Sequence, residues 1–196
     1  MTLLLLAVLC LHAVPAAAAA DPAAGQQTAR ACAGCHGANG LSSMPGVPSL
    51  AGQREQYLQW QLVFFRTGRR DNPIMMPLAA NLSDDDVRNL SAYFASLPPP
   101  PGVTADSNPA LHEAGADLAA KYHCAACHTD SFAGLQAAAR VADQREDYLV
   151  HALADYRSGA RPSTGVAAMN EAASGLSDDD IAALAHYLAT LPPPAP

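Results

Sequence analysis

A chain of 196 residues, half of them hydrophobic, can fill one medium domain or two small ones. Its formal charge of -7 and its single lysine, Lys121, exclude a nucleic-acid binder, because phosphate recognition needs clustered Lys and Arg. A neutral or cationic partner is favoured instead.

Residues 1–20 read as an export signal: an apolar core runs from Leu3 to Leu11, and small residues lead to Ala18-Ala19-Ala20, with cleavage expected near Ala20, before Asp21. The apolar stretch is short for a bilayer crossing, and no later stretch approaches membrane length. Of the five cysteines, Cys10 leaves with the signal; the other four fall in Cys32-Ala33-Gly34-Cys35-His36 and Cys124-Ala125-Ala126-Cys127-His128, so none remains for a structural disulfide.

Asp21 caps a helix with Pro22 at its first position, and this helix leads into the first Cys motif. A second helix is predicted over 53–67, with Tyr57, Gln61 and Phe64 or Phe65 near one face and Gly68 as its stop. A third starts after Ser83, whose hydroxyl caps backbone amides while Asp84, Asp85 and Asp86 sit in the positive first turn; Pro98 ends it. An acidic triplet also invites a divalent-metal reading, but an oxygen-ligand cage needs more ligands at wider spacing.

The chain then repeats itself. Gln53-Arg54-Glu55-Gln56-Tyr57-Leu58 returns as Gln144-Arg145-Glu146-Asp147-Tyr148-Leu149, and Leu82-Ser83-Asp84-Asp85-Asp86-Val87 as Leu176-Ser177-Asp178-Asp179-Asp180-Ile181. Both copies close on Leu-Pro-Pro-Pro. The expected organisation is a signal at 1–20, one domain at 21–98, an extended Pro-rich linker at 99–109 and a second domain at 110–196. The stretch from Asp21 to Pro98 has six acidic and six basic residues; that from Asp106 to Pro196 has twelve and five, so the net charges are zero and -7. The second domain is therefore expected to dock on a more basic partner than the first.

Two cysteines a helical turn apart, followed at once by a histidine, suit thioether attachment to the two vinyl groups of a haem, with the histidine on the iron. A thiol redox pair or half a zinc site is the alternative for a lone Cys-x-x-Cys, but neither explains His36 and His128 at identical offsets. The expected cofactors are thus two covalently attached haems c with their iron. Met75 and Met169 each precede the Leu-Ser-Asp-Asp-Asp motif by seven residues, which selects them over Met76 as sixth ligands; the rival reading is core filling. His112, His151 and His186 lack a histidine counterpart in the other copy and read as surface or partly packed residues, as His123 reads as turned away from the iron. Arg66 pairs with Arg157, and Arg70 with Arg161; they either meet haem propionates or are solvated helix ends.

These features, with Pro48-Ser49-Leu50-Ala51-Gly52-Gln53 after the first haem motif and an aromatic helix beyond it, resemble the dihaem cytochrome c4 family over nearly all the mature chain. The resemblance implies an all-α protein of two tandem cytochrome c-type domains, each wrapped around one covalently attached haem, carrying electrons in the periplasm to a terminal oxidase or other respiratory acceptor. Redox proteins such as an oxidase, a cytochrome bc complex or a dehydrogenase are the implied partners, with no small-molecule substrate. Family domains use a proline-containing loop to present a carbonyl to the axial histidine: Pro45 or Pro48 serves His36, whereas no proline lies between His128 and Gln144. The second copy also has three extra residues between Arg161 and Met169. A missing carbonyl and a rewritten loop make the second haem the expected unconventional one, leaving open a dehydrogenase subunit or a haem enzyme with a displaceable ligand there.

Overall fold

The computed structural model describes residues 19–102, 106–163 and 169–192, and the expected export signal falls almost entirely outside them. Among the described residues all regular structure is helical. Helix α1 is Pro22–Thr28; the Asp21 carboxylate accepts from the amides of Ala23 and Ala24, and Pro22 needs no partner at the first position. A short 3-10 turn leads into α2, Ala33–His36, a single helical turn.

Helix α3 spans Glu55–Arg66 and buries Leu58, Gln61, Phe64 and Phe65. It starts later than the predicted residue 53 because the Gln53 side chain is buried in the contact between the two halves of the molecule. Helix α4 is Met75–Ala79, and α5 is Asp84–Ser96. Ser83 and Asp86 form a reciprocal capping box at the head of α5, while Asp84 meets Arg66 and Asp85 meets Arg88. Each carboxylate of the triplet is thus engaged by the protein itself. Leu97 turns extended ahead of Pro98, as a residue before proline must.

The second half repeats the series. Helix α6, Pro109–Lys121, begins at a residue expected in the linker, because Asn108 caps it and Pro109 takes the first position. Helix α7 is Ala125–His128, α8 is Glu146–Ser158 with left-handed Gly159 as its stop, α9 is Met169–Ala173, and α10 is Asp178–Thr190 with a Ser177–Asp180 capping box.

In each half the first helix crosses the last at a glycine. A Cβ on Gly25 would lie 2.0 Å from the Asn89 carbonyl oxygen of α5, and one on Gly115 would lie 2.2 Å from that of Ala183 on α10. Only hydrogen fits there, so these backbones touch. Helix α3 packs on α4 and α5, and α8 packs on α9 and α10. The resulting cores are separate: Ala29, Leu58, Leu90 and Phe94 in one half; Phe132, Leu149, Ile181, Leu184 and Leu188 among the residues of the other. Each frames one copy of the Cys-x-x-Cys-His turn.

Two candidate haem centres

The single turn of α2 sets Cys32 at its head and Cys35 and His36 at its end, with the His36 amide bonded to the Cys32 carbonyl. Helix α7 does the same for Cys124, Cys127 and His128. Burial raises the pKa of the Cys32 thiol, assisted by Cys35, and burial likewise raises that of Cys124. His36 is buried, and its Nδ1 donates to the Pro48 carbonyl at 2.9 Å. A carbonyl can only accept, so Nε2 carries the free lone pair. Burial lowers the pKa of His36 against the opposing pull of that bond, which favours the neutral ring a metal requires.

His128 corrects one expectation. Its Nδ1 donates to the Ala139 carbonyl at 2.8 Å, so the second site does have an orienting acceptor although it has no proline. Ala139 stands five residues before Gln144, as Pro48 stands five before Gln53. Any residue supplies a backbone carbonyl, and what matters is the loop path. Burial lowers the pKa of His128 just as it does that of His36.

Met75 and Met169 occupy corresponding places as the first residues of α4 and α9, and both are half-buried. Asn72 fixes the first of these helices by accepting from the Met75 amide at 2.8 Å. Near the second, Asn170 donates to the carbonyls of Tyr156 and Arg161 at 2.6 and 2.9 Å. The path of 164–168, where the second copy is longer, lies outside the described residues.

The arginine pairs divide. Arg66 donates to the Leu82 carbonyl and to Asp84 at 2.8 and 2.7 Å, and Arg157 donates to Leu176 and Asp178 at 3.0 and 2.6 Å. They brace one helix end against the next helix start, as partly solvated residues of the last helical turn. Arg70 and Arg161 instead converge where the halves meet. Arg161 is only 4% exposed and donates to Tyr57 and Gln61, each at 2.8 Å, and to Tyr148 at 3.2 Å. Arg70 donates to Gln61 at 2.6 Å and reaches the Tyr148 hydroxyl at 3.5 Å. Burial alone would raise the Tyr148 phenol; the two guanidinium groups outweigh it and bring it down to about 7.

Among the described residues no carboxylate meets Arg70 or Arg161 within salt-bridge distance. A buried and a half-buried cation without an acidic partner fit an anionic group such as a haem propionate, and two imidazoles with free Nε2 fit iron. The donor set therefore suits haem in both halves.

Other histidines behave differently from one another. His151 is exposed, and His112 is half-buried with its Nδ1 2.8 Å from the Thr190 hydroxyl. His186 is buried, beyond its expected partial packing: Nε2 lies 2.9 Å from Asp106 and Nδ1 3.1 Å from Glu146, so both ring nitrogens face carboxylates. Three further residues escaped the sequence reading as functional candidates: Gln53, Gln144 and the buried Arg140, all at the contact between halves. For the glutamines the signal was present, since each heads the recurring Gln-Arg-Glu motif.

The cytochrome c family model matches residues 22–98 and again 112–192. The chain is 39% identical over 179 residues to cytochrome c4 of Pseudomonas aeruginosa, covering 87% of this chain and 89% of that protein. It is 35% identical over 152 residues to the thiosulfate dehydrogenase electron acceptor of Stutzerimonas stutzeri, covering 74% and 70%. Among solved structures, reduced recombinant cytochrome c4 from Pseudomonas stutzeri aligns with a TM-score of 0.80 at 32% identity, over 88% of this chain and 100% of that one. With its duplicated haem-binding turns, the chain belongs to the cytochrome c4 family: two tandem all-helical cytochrome c domains with covalently attached haem c and its iron, serving electron transfer.

Proposed function

We propose that the protein is a periplasmic electron carrier in which Cys32 and Cys35 hold one haem and Cys124 and Cys127 the other. His36 and His128 are the proximal iron ligands, and Met75 and Met169 complete the coordination. Bound haem supplies one-electron chemistry, and His/Met ligation favours the high potentials of a carrier. The observation that carries the reading is the matched pair of Nδ1-to-carbonyl bonds, which fix both rings in the tautomer that offers Nε2 to a metal. Arg70 and Arg161 supply positive charge for propionates at the domain junction. The domains are taken as 21–98 and 110–196, the second extended back to Pro109, where α6 begins.

The electron acceptor on this reading is a terminal oxidase or another respiratory protein, with a cytochrome bc complex or a dehydrogenase as further redox partners. A dehydrogenase-coupled role has its own support in the likeness to a thiosulfate dehydrogenase electron acceptor. A redox titration followed by absorbance, including the long-wavelength Met-to-iron band, tests the carrier reading. Two low-spin haems per chain that both show the band are expected. A high-spin second haem would favour an enzyme instead, and stable co-purification with a catalytic subunit would make the chain its electron-accepting partner.

A further inference from the structure

The bonds between the two domains come in two matching sets. In the first domain the amide of Ser49 donates to Gln144 Oε1 at 2.9 Å, and Gln144 Nε2 donates back to the Ser49 carbonyl at 2.8 Å. In the second domain the amide of Arg140 donates to Gln53 Oε1 at 2.6 Å, and Gln53 Nε2 donates back to the Arg140 carbonyl at 2.9 Å. Each glutamine oxygen also accepts the amide of its own following residue, at 2.9 Å for Arg54 and 3.0 Å for Arg145. Both glutamines are buried, so these bonds are shielded from water.

The Ser49 amide and the Pro48 carbonyl belong to one peptide group. So do the Arg140 amide and the Ala139 carbonyl. Each of these peptide groups therefore accepts from a histidine of its own domain at one end and donates to a glutamine of the other domain at the opposite end. A peptide whose N–H is engaged has a more polarised carbonyl, which is the better acceptor. A better acceptor draws the Nδ1 proton further from the ring and raises the basicity of Nε2.

We propose that Gln144 and Gln53 are positioning residues that act across the interface: Gln144 tunes the His36 haem and Gln53 tunes the His128 haem. Each haem's potential is thus set partly by the domain that does not contain it, and separating the domains alters both. This rests on the reading of His36 and His128 as iron ligands.

The test is Gln144→Met in the haem-loaded full chain, with each haem's potential followed through its own haem-methyl proton resonances. Losing the acceptor leaves the Pro48 carbonyl less polarised and His36 a weaker donor, so the first haem's potential rises while the second's stays near wild type. Gln53→Met gives the reverse pattern. Gln144→Glu keeps an acceptor for the Ser49 amide and shifts the first haem in the opposite direction from Met, which preserves the sign test if the Met variant loads haem poorly. The Nδ1 proton of His36 exchanges faster in Gln144→Met, and that of His128 does not. Equal shifts of both haems, a shift confined to the glutamine's own domain, or no shift would overturn the proposal. A wild-type ferric spectrum lacking hyperfine-shifted His36 and His128 ring protons would instead remove the ligand reading on which it rests.

Discussion

Thr129 has φ 68 in the position that Gly37 holds at φ 82, directly after the histidine of the Cys-x-x-Cys-His turn in each copy. Phe132 and Asp143 similarly adopt the positive φ that Gly40 and Gly52 have in the first domain. A side chain at such an angle costs on the order of 1–3 kcal/mol. Thr129→Gly should therefore raise the thermal stability of the second domain by about 1 kcal/mol or more, measured by calorimetry on the holoprotein, and an unchanged transition would mean the loop tolerates threonine freely. His186 gives the molecule a pH response. Burial pushes its pKa down, but the bonds to Asp106 and Glu146 push harder in the other direction, with His112 also facing Asp106. Because the folded value is raised, the stabilisation is complete below the ordinary histidine value of about 6.5 and is lost as pH rises through the folded value. Unfolding scans from pH 6 upward should show this loss in wild type and not in His186→Ala, which should itself cost about 1–3 kcal/mol at low pH. The second-site carbonyl teaches a related lesson at this scale. A proline pattern does not reveal it, because a carbonyl carries no side-chain signature; the equal distance of Ala139 and Pro48 from their glutamines acquires meaning only once the loop path is seen.

Helix ends were the most legible elements, since capping is local chemistry. Asp21, Ser83 and Ser177 each cap the helix that follows, accepting from the amides of Ala23 and Ala24, of Asp86 and of Asp180. Ser83→Ala and Ser177→Ala should each cost about 1 kcal/mol, and their effects should add because the sites lie in different domains. Chemical denaturation of the single and double variants checks both statements. Arg66 and Arg157 strengthen the same junctions by tying α3 to the start of α5 and α8 to the start of α10. Their pairing in the repeat was visible, but their partners lie 16 to 21 residues away, so which role they take depended on how the intervening loop folds back. The start of α3 at Glu55 has a similar cause: helical periodicity includes Gln53, whereas the domain contact claims its side chain.

The assembly of the two domains is held by groups that periodicity does not identify. Arg161 crosses from the second domain to Tyr57 and Gln61 of the first, and Arg140 donates to the carbonyls of Ala51 and Gly52. Burial lowers Arg140 to about 10, against the pull of Asp143, so it remains charged at neutral pH. Arg161→Met should cost about 3 kcal/mol, because hydrogen bonds from a charged group to buried acceptors are lost together. Following unfolding with a separate haem signal for each domain should then reveal two transitions, against the single one expected of wild type, and a variant transition unshifted from wild type would show that the junction does not depend on this residue. The sequence by itself determined the duplicated helical domains, the two haem-binding turns and the caps, because each is written in residues close together in the chain. Only the tertiary structure decided that Ala139 does the work of a proline loop, that Arg70 and Arg161 share one junction, and that Gln53 and Gln144 reach across it. The His128–Ala139 bond spans 11 residues of a loop whose path has no side-chain signature, and the junction contacts join residues 78 to 104 positions apart, where nothing in local spacing fixes how two folded halves meet.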